Sequence, residues 1–262
     1  MAARSRRRRR PQDEDLHDPE FAALAPRWET FPGFEERDFA AFTADKQRSA
    51  AYNAQRLVVK RKLAALVKQI APALEAADLP LEPRTSLSHP CRHNGWRVRS
   101  MWGYFGRSDA EKRKLKRVLG AELGADADPA YQGVILLVEI DAERVAHGLR
   151  IHPGAWWDAR RLQKQLESPS SAAALLETLR ALPVEYAMGI GGWKRRRVCA
   201  ELGPATLQHA LSFYRVGEHW FEVLAETPRE QAIAEGPALA DRLGESLAAL
   251  APLWRTIAFR GA

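Results

Sequence analysis

Three side chains that can bind a metal or attack a substrate lie close together in the sequence. His89, Cys91 and His93 occupy alternate positions, so an extended chain would present all three on one side. Together with Cys199 or a further histidine they could supply the four nitrogen and sulfur ligands of a zinc site. The paired spacings typical of zinc proteins do not occur, and Pro90 favours a turn. The competing interpretation is a loop with ordinary hydrogen bonds, and we predict no bound metal or cofactor.

The same segment could instead belong to a hydrolytic enzyme. Cys91 would be the nucleophile and His89 or His93 the base, while Arg92 beside them would favour the thiolate. Glu139 follows an apolar run and is a further candidate, although a nuclease of the Asp…Glu-x-Lys type needs lysine at position 141, which holds aspartate. This alternative places a site near residues 84–93, which include Arg84, and at Glu139.

Arginines and aromatic residues alternate in a second candidate segment, residues 92–107. Its members are Arg92, Trp96, Arg97, Arg99, Trp102, Tyr104 and Arg107. A second basic cluster consists of Lys194, Arg195, Arg196 and Arg197. Guanidinium groups pair with phosphates and aromatic rings stack on bases, so such a surface is typical of polyanion binding. The competing interpretation is a strand with its rings in the core and its arginines in solvent.

The charge of the chain supports polyanion binding by these two clusters. The 262 residues carry 40 Lys+Arg and 33 Asp+Glu, a net charge of +7. Residues 1–20 begin with an arginine block, but five acidic residues follow six arginines and leave a net charge of only +1. The excess therefore lies in the body of the chain, where it is grouped, while the C-terminal stretch is acidic.

The elements that must position these residues indicate an α+β fold. We predict a disordered arm over residues 1–18 and a single domain over 19–262, helical over 19–80 and with a mixed sheet and helices over 84–262. Apolar residues at helical spacing predict a long helix over 47–77, with its basic residues largely off the apolar stripe. The nearly continuous apolar run 131–140 predicts a central strand, with 147–152 as its antiparallel neighbour. The predicted architecture is N-terminal helices packed on a mainly antiparallel mixed sheet.

Three more local predictions concern boundaries. Alternation over 96–101 and dense aromatic residues predict one or two strands within 84–107. Ser170 or Ser171 is expected to cap the helix that follows it. A closing helix is expected over 229–250.

Two stretches of the chain resemble a widespread uncharacterised bacterial family. The turn Phe31-Pro-Gly-Phe34, the long helix ending near Ile70-Ala-Pro72, and the closing segment Leu247 to Phe259 carry the resemblance, which covers about a third of the chain. The Asn-Asn and Trp-Phe residues of that family's motif are missing, since Asp45-Lys46 and Ala50-Ala51 stand roughly in their place. The resemblance implies helices packed on a mixed sheet and supplies no catalytic residues.

These observations favour a non-catalytic cytoplasmic protein that binds a polyanion, in particular nucleic acid, through a basic face interleaved with aromatic residues. The hydrolase described above is the alternative, and a partner for acidic protein surfaces is a third hypothesis. No run approaches 18 apolar residues, so we predict no membrane span. Two cysteines suit a reducing cytosol. The oligomeric state is left open.

Overall fold

The computed structural model describes residues 26–124, 129, 131–191 and 193–259. The predicted arm, residues 1–18, lies outside the described residues. The predicted long helix is present as α2 (Asn53–Ala76), so the expectation for this element is confirmed.

The described strands form one sheet whose neighbouring strands are all antiparallel. They are β1 (Leu81–Thr85), β2 (Met101–Arg107), β3 (Val134–Ile140), β4 (Arg144–Ile151), β5 (Ala187–Ile190), β6 (Arg197–Val198) and β7 (Phe221–Pro228). Their order is β1-β2-β3-β4-β7-β5-β6. The predicted central strand is β3, which is buried on both faces over Val134 to Val138, and its antiparallel neighbour is β4. The α+β class with a mainly antiparallel sheet is confirmed.

The helices pack on one face of this sheet. They are α1 (Glu36–Phe39), α2 (Asn53–Ala76), α3 (Asp109–Gly124), α4 (Trp156–Lys164), α5 (Pro169–Arg180), α6 (Pro204–Phe213), α7 (Arg229–Glu235), α8 (Leu239–Ala248) and α9 (Ala251–Ile257). Their buried leucines join Leu136 and Val138 of β3 in the main hydrophobic core. We call this side of the sheet the helical face.

The other side of the sheet carries a separate and smaller apolar cluster. Tyr104, Ile135, Leu137 and Leu224 form it, and these residues alternate along their strands with those of the main core. In the described part of the chain, all four come from strands rather than helices. We call this side the open face.

One of the three boundary predictions is confirmed and two are wrong. The end of β1 and all of β2 lie within 84–107, as predicted, but the alternation over 96–101 does not mark a strand. Residues 86–100 form a loop in which Gly95 and Trp96 adopt left-handed backbone angles, with φ of 62° and 59°. The cap of α5 is Ser168, whose hydroxyl accepts the amide of Ser171, since Pro169 begins the helix. The closing helix breaks at Gly236, where φ is 55°.

Two basic residues of α2 are buried rather than off its apolar stripe. Arg56 and Lys62 are 0% exposed, and the Lys62 ammonium lies 2.7 Å from the carboxylate of Asp38, which is also fully buried. Arg56 donates to the backbone carbonyl of Ser49 at 3.0 Å. These contacts connect the N-terminal segment to the long helix, so the two side chains serve the packing of this region.

A buried carboxylate, that of Asp158 at the start of α4, joins four separate segments. It receives both terminal nitrogens of Arg107 at 2.6 and 2.9 Å, the amide of Val134 at 2.8 Å and the amide of Phe259 at 2.7 Å. Arg107 also donates to the carbonyl of Phe259 at 2.9 Å. A Cβ on Gly133 would lie 3.0 Å from the arginine, so glycine lets the chain pass this cluster. We call these contacts the Asp158 cluster.

We expect Asp158→Ala to lower the free energy of unfolding by about 3–5 kcal/mol, because it leaves the Arg107 charge buried without its partner. The double variant Arg107→Met with Asp158→Ala removes that charge and is expected to be more stable than Asp158→Ala alone. Urea denaturation followed by circular dichroism measures both. A double variant less stable than Asp158→Ala would contradict this account.

A buried histidine on β4 is held in its neutral form. His147 is 1% exposed on the helical face, its Nε2 lies 3.0 Å from the hydroxyl of Ser246, and its ring meets that of Tyr186 edge to face. Burial, assisted by the charge of Arg242, lowers the pKa of His147 to about 3. The unfolded chain therefore takes up a proton below about pH 6.5 that the native protein does not bind.

Stability should consequently fall as the pH is lowered. Between about pH 6 and 5 we expect His147 to reduce the free energy of unfolding by about 1 kcal/mol per pH unit, and His147→Gln to remove that part of the slope. Urea melts at several pH values measure the slope. Ring-proton NMR provides a direct control, since the His147 ring should stay neutral at pH 5. A ring that titrates near pH 6.5 in the native protein would contradict the assignment.

Candidate functional site

Five aromatic rings lie in contact across the open face and its borders. Tyr104 and Trp102 are 5.0 Å apart between ring centroids, Trp102 and Tyr131 6.2 Å, Tyr131 and His152 5.3 Å, and His152 and Trp220 4.6 Å. Tyr104 is buried, whereas the other four rings are partly exposed. We call these five side chains the aromatic row.

The alternation of strand residues explains how separate segments build the row. Trp102 and Tyr104 are two residues apart on β2 and therefore share a face. His152 follows β4 directly, and Trp220 precedes β7 directly. Because β4 and β7 are antiparallel neighbours, with Ile151 opposite Phe221, these two rings meet.

His152 takes part as a neutral ring. The amide of Gly154 donates to its Nδ1 at 2.9 Å, so the imidazole carries its proton on Nε2. Burial lowers the pKa of His152 to about 4. At neutral pH the side chain therefore presents an uncharged aromatic surface.

A central arginine organises the polar groups of the open face. Arg150 donates to Glu139 and to Glu222, each at 2.7 Å, and its guanidinium lies 5.4 Å from the centre of the Trp220 ring. The hydroxyl of Ser100 donates to Glu139. The Arg150 side chain is only 12% exposed, so these ion pairs are shielded from solvent.

The network continues to the far edge of the sheet through Arg196. This side chain pairs with Glu222 at 3.1 Å and with Glu226, which also binds Arg144. Its stem crosses Gly189, where a Cβ would lie 2.9 Å from Cγ of the arginine. Arg196, a predicted polyanion-binding residue, therefore has its charge paired with two carboxylates within the fold.

Glu139 is held as an anion. Burial alone would raise its pKa, but the charge of Arg150 and the hydrogen bonds from Ser100 and Arg150 outweigh burial, so the pKa lies below its ordinary value. For Arg150, burial alone would lower the pKa, but the charges of Glu139 and Glu222 outweigh burial and raise that pKa. A general acid needs a raised carboxyl pKa, and Glu139 has the opposite. Its contacts with Arg150 and Ser100 suit a structural ion pair rather than a general acid.

Two basic segments border this face with their charges accessible. Arg92 and Arg99 are exposed and Arg97 is half-exposed in the β1–β2 loop, residues 86–100. Lys194, Arg195 and Arg197 are exposed around the turn from β5 to β6. None of these six side chains forms an ion pair with another residue of the described ranges.

Contacts through the network connect the two segments. Ser100 at the end of the β1–β2 loop binds Glu139, and Arg196 in the β5–β6 turn binds Glu222, while Arg150 binds both carboxylates. The loop and the turn therefore border the same sheet face from opposite ends. Of the remaining predicted members, Arg107 is buried in the Asp158 cluster and is not available to a ligand.

The segment with His89, Cys91 and His93 forms a turn. The side-chain amide of Asn94 donates to the carbonyl of His89 at 2.8 Å and accepts the amide of Cys91 at 2.8 Å, and His93 lies in the 3₁₀ turn Arg92–Asn94. Among the residues that the structure describes, no group of three His, Cys, Asp or Glu could hold a metal ion.

The other candidates for the hydrolytic or zinc site have different surroundings. Cys199 is fully buried, and burial raises the pKa of its thiol to about 12. Arg84 pairs with Glu82 at 2.8 Å and with Asp109 at 3.2 Å. Neither residue is presented as a nucleophile or as an unpaired charge.

No model of a known protein family matches the chain, and no curated protein matches it. The resemblance to the bacterial family therefore stays a prediction. Within the described ranges, no helix has the length and apolarity needed to cross a bilayer.

We expect Arg150→Met to lower the free energy of unfolding by on the order of 3 kcal/mol, because Glu139 and Glu222 would lose their shared counter-charge. Exposed Arg92→Gln is the control and should change the same quantity by less than about 0.5 kcal/mol. Thermal and urea denaturation measure both variants. Equal effects of the two substitutions would contradict the central role of Arg150.

Proposed function

We propose that this protein binds single-stranded nucleic acid on its open face, without a catalytic step. The observation that carries the proposal is the aromatic row, bordered at both ends by accessible basic residues. Partly exposed rings offer surfaces on which bases stack, and stacking contributes about 1–3 kcal/mol per base. A duplex hides the faces of its bases, so the rings favour an unpaired strand.

The electrostatics of the face agree with such a ligand. Glu139 and Glu222 would repel phosphates, but Arg150 pairs with both and Arg196 also pairs with Glu222, so two positive charges balance the two carboxylates and the centre of the face carries little net charge. Accessible cations lie in the two segments that contact this face, the β1–β2 loop through Ser100 and the β5–β6 turn through Arg196. A strand would stack at the centre and place its phosphates on the basic residues.

We further propose that the protein acts in the cytoplasm. Both cysteines, Cys91 and Cys199, are free thiols, which suits a reducing compartment. The hydrolase alternative has no comparable support, because the carboxylate proposed for it, Glu139, is engaged by Arg150 and Ser100.

Fluorescence anisotropy with labelled single-stranded DNA and RNA across a salt series tests the proposal. We expect binding that is strongest near about 50 mM salt and weakens steeply towards about 200 mM. Duplex of the same sequence should bind less tightly. Undetectable affinity for all single strands at low salt would overturn the proposal.

Variants separate the contributions of stacking and charge. Trp102→Leu and Tyr131→Leu should each weaken strand binding about 5- to 100-fold while leaving the salt dependence unchanged, because each removes a stacking ring. The triple substitution of Arg92, Arg97 and Arg99 to Gln should instead reduce the slope of log K against log salt by about 2, since each phosphate contact contributes about 0.7.

A charge-matched control comes from the helices. Lys68, Arg160 and Lys164 are exposed on α2 and α4, which pack on the helical face. Their triple substitution to Gln should leave the slope as in the unmodified protein. A control that lowers the slope as much as the loop variant would show that binding follows net charge rather than the open face.

A further inference from the structure

A second cleft lies beside the open face, between the β5–β6 turn and α6. Its volume is about 480 Å³. The residues that line it are Trp193, Lys194, Arg195, Arg197, Thr206, His209 and Phe213. Three cations, two aromatic rings, an imidazole and a hydroxyl therefore surround one space.

The helix side of this cleft is one face of α6. Thr206, His209 and Phe213 are spaced by three and four residues and so line up along the helix. The rings of His209 and Phe213 meet edge to face, 4.8 Å apart. Phe213 is 51% exposed, which leaves its ring open to a ligand.

The sheet side of the cleft supplies charge. Lys194, Arg195 and Arg197 are exposed and form no ion pair with another described residue, whereas Arg196 between them turns to Glu222 and Glu226. A phosphate monoester carries about −1.5 to −2 charges at neutral pH, more than the single charge of a diester. Three adjacent cations therefore suit a terminal phosphate better than an internal one.

The cleft is continuous with the open face. A neighbouring space of about 730 Å³ is lined by Gly189, Glu222 and Leu224 of the open face, and it shares Trp193, Lys194 and Arg195 with the cleft. A strand that lies on the open face would therefore lead, at its end, into the cleft beside α6.

We propose that the cleft between the β5–β6 turn and α6 binds a nucleotide that carries a phosphate monoester. Lys194, Arg195 and Arg197 hold the phosphate, and Phe213 with His209 contacts the base. The path from the open face rests on the proposed function. When a strand is bound on that face, the phosphorylated nucleotide at the end of the strand is the one that the cleft binds. A free nucleotide has the same chemistry and is the other source.

Isothermal titration calorimetry with a nucleoside monophosphate, the nucleoside and inorganic phosphate tests the cleft alone. We expect the monophosphate to bind at least about tenfold more tightly than the nucleoside, because the nucleoside lacks the charge-assisted hydrogen bonds. Lys194→Gln with Arg195→Gln should weaken the monophosphate at least about tenfold. Phe213→Ser should weaken the monophosphate but not inorganic phosphate. Arg160→Gln with Lys164→Gln is the charge-matched control.

Strands with a 5′-phosphate, a 3′-phosphate or neither distinguish the two sources. Tighter binding of one phosphorylated strand, lost in the Lys194 and Arg195 variant, supports the strand end as ligand. Monophosphate binding without any strand binding would support the cleft with a free nucleotide and reject the proposed function. Equal affinity for strands with and without a terminal phosphate, together with no binding of the monophosphate, would overturn the inference and leave the proposed function standing.

Discussion

The buried carboxylate of Asp158 sets where the central part of the sheet begins. An ionised group inside a protein is costly unless it is paired and hydrogen-bonded, and this one is satisfied by Arg107 and by two backbone amides. One amide is that of Val134, the first residue of β3, and Arg107 is the last residue of β2. The pair therefore fixes the relative position of two neighbouring strands.

That position determines which side chains reach each side of the sheet. Strand residues alternate between faces, so a shift of one residue would move Ile135 and Leu137 into the helical core and expose Leu136. The same alternation brings Trp102 and Glu139 to the open face. The proposed binding surface and the hydrophobic core therefore both follow from one strand register. The ion pairs of Arg150 stabilise the part of that surface that apolar contacts do not stabilise.

Local patterns in the sequence were sufficient for the fold class, α2 and β3, because helical spacing and continuous apolarity depend on near neighbours. They misjudged Arg107 and Arg196, whose roles depend on carboxylates 51 and 26 or more residues away. They also missed His152 and Trp220, since neither is notable until antiparallel strands bring them together. Tyr131 and His152 are the terminal residues of two predicted strands, 131–140 and 147–152, and aromatic residues at strand ends were the available signal.

The two edges of the sheet limit how the molecule can associate with itself. An uncovered sheet face is hazardous when edge strands can pair with those of another molecule. At one edge β1 contains Pro83, which has no amide hydrogen to donate, and at the other β6 is only Arg197–Val198. Neither edge offers a long ladder for strand addition, so the protein can keep an aromatic sheet surface accessible without becoming a template for aggregation.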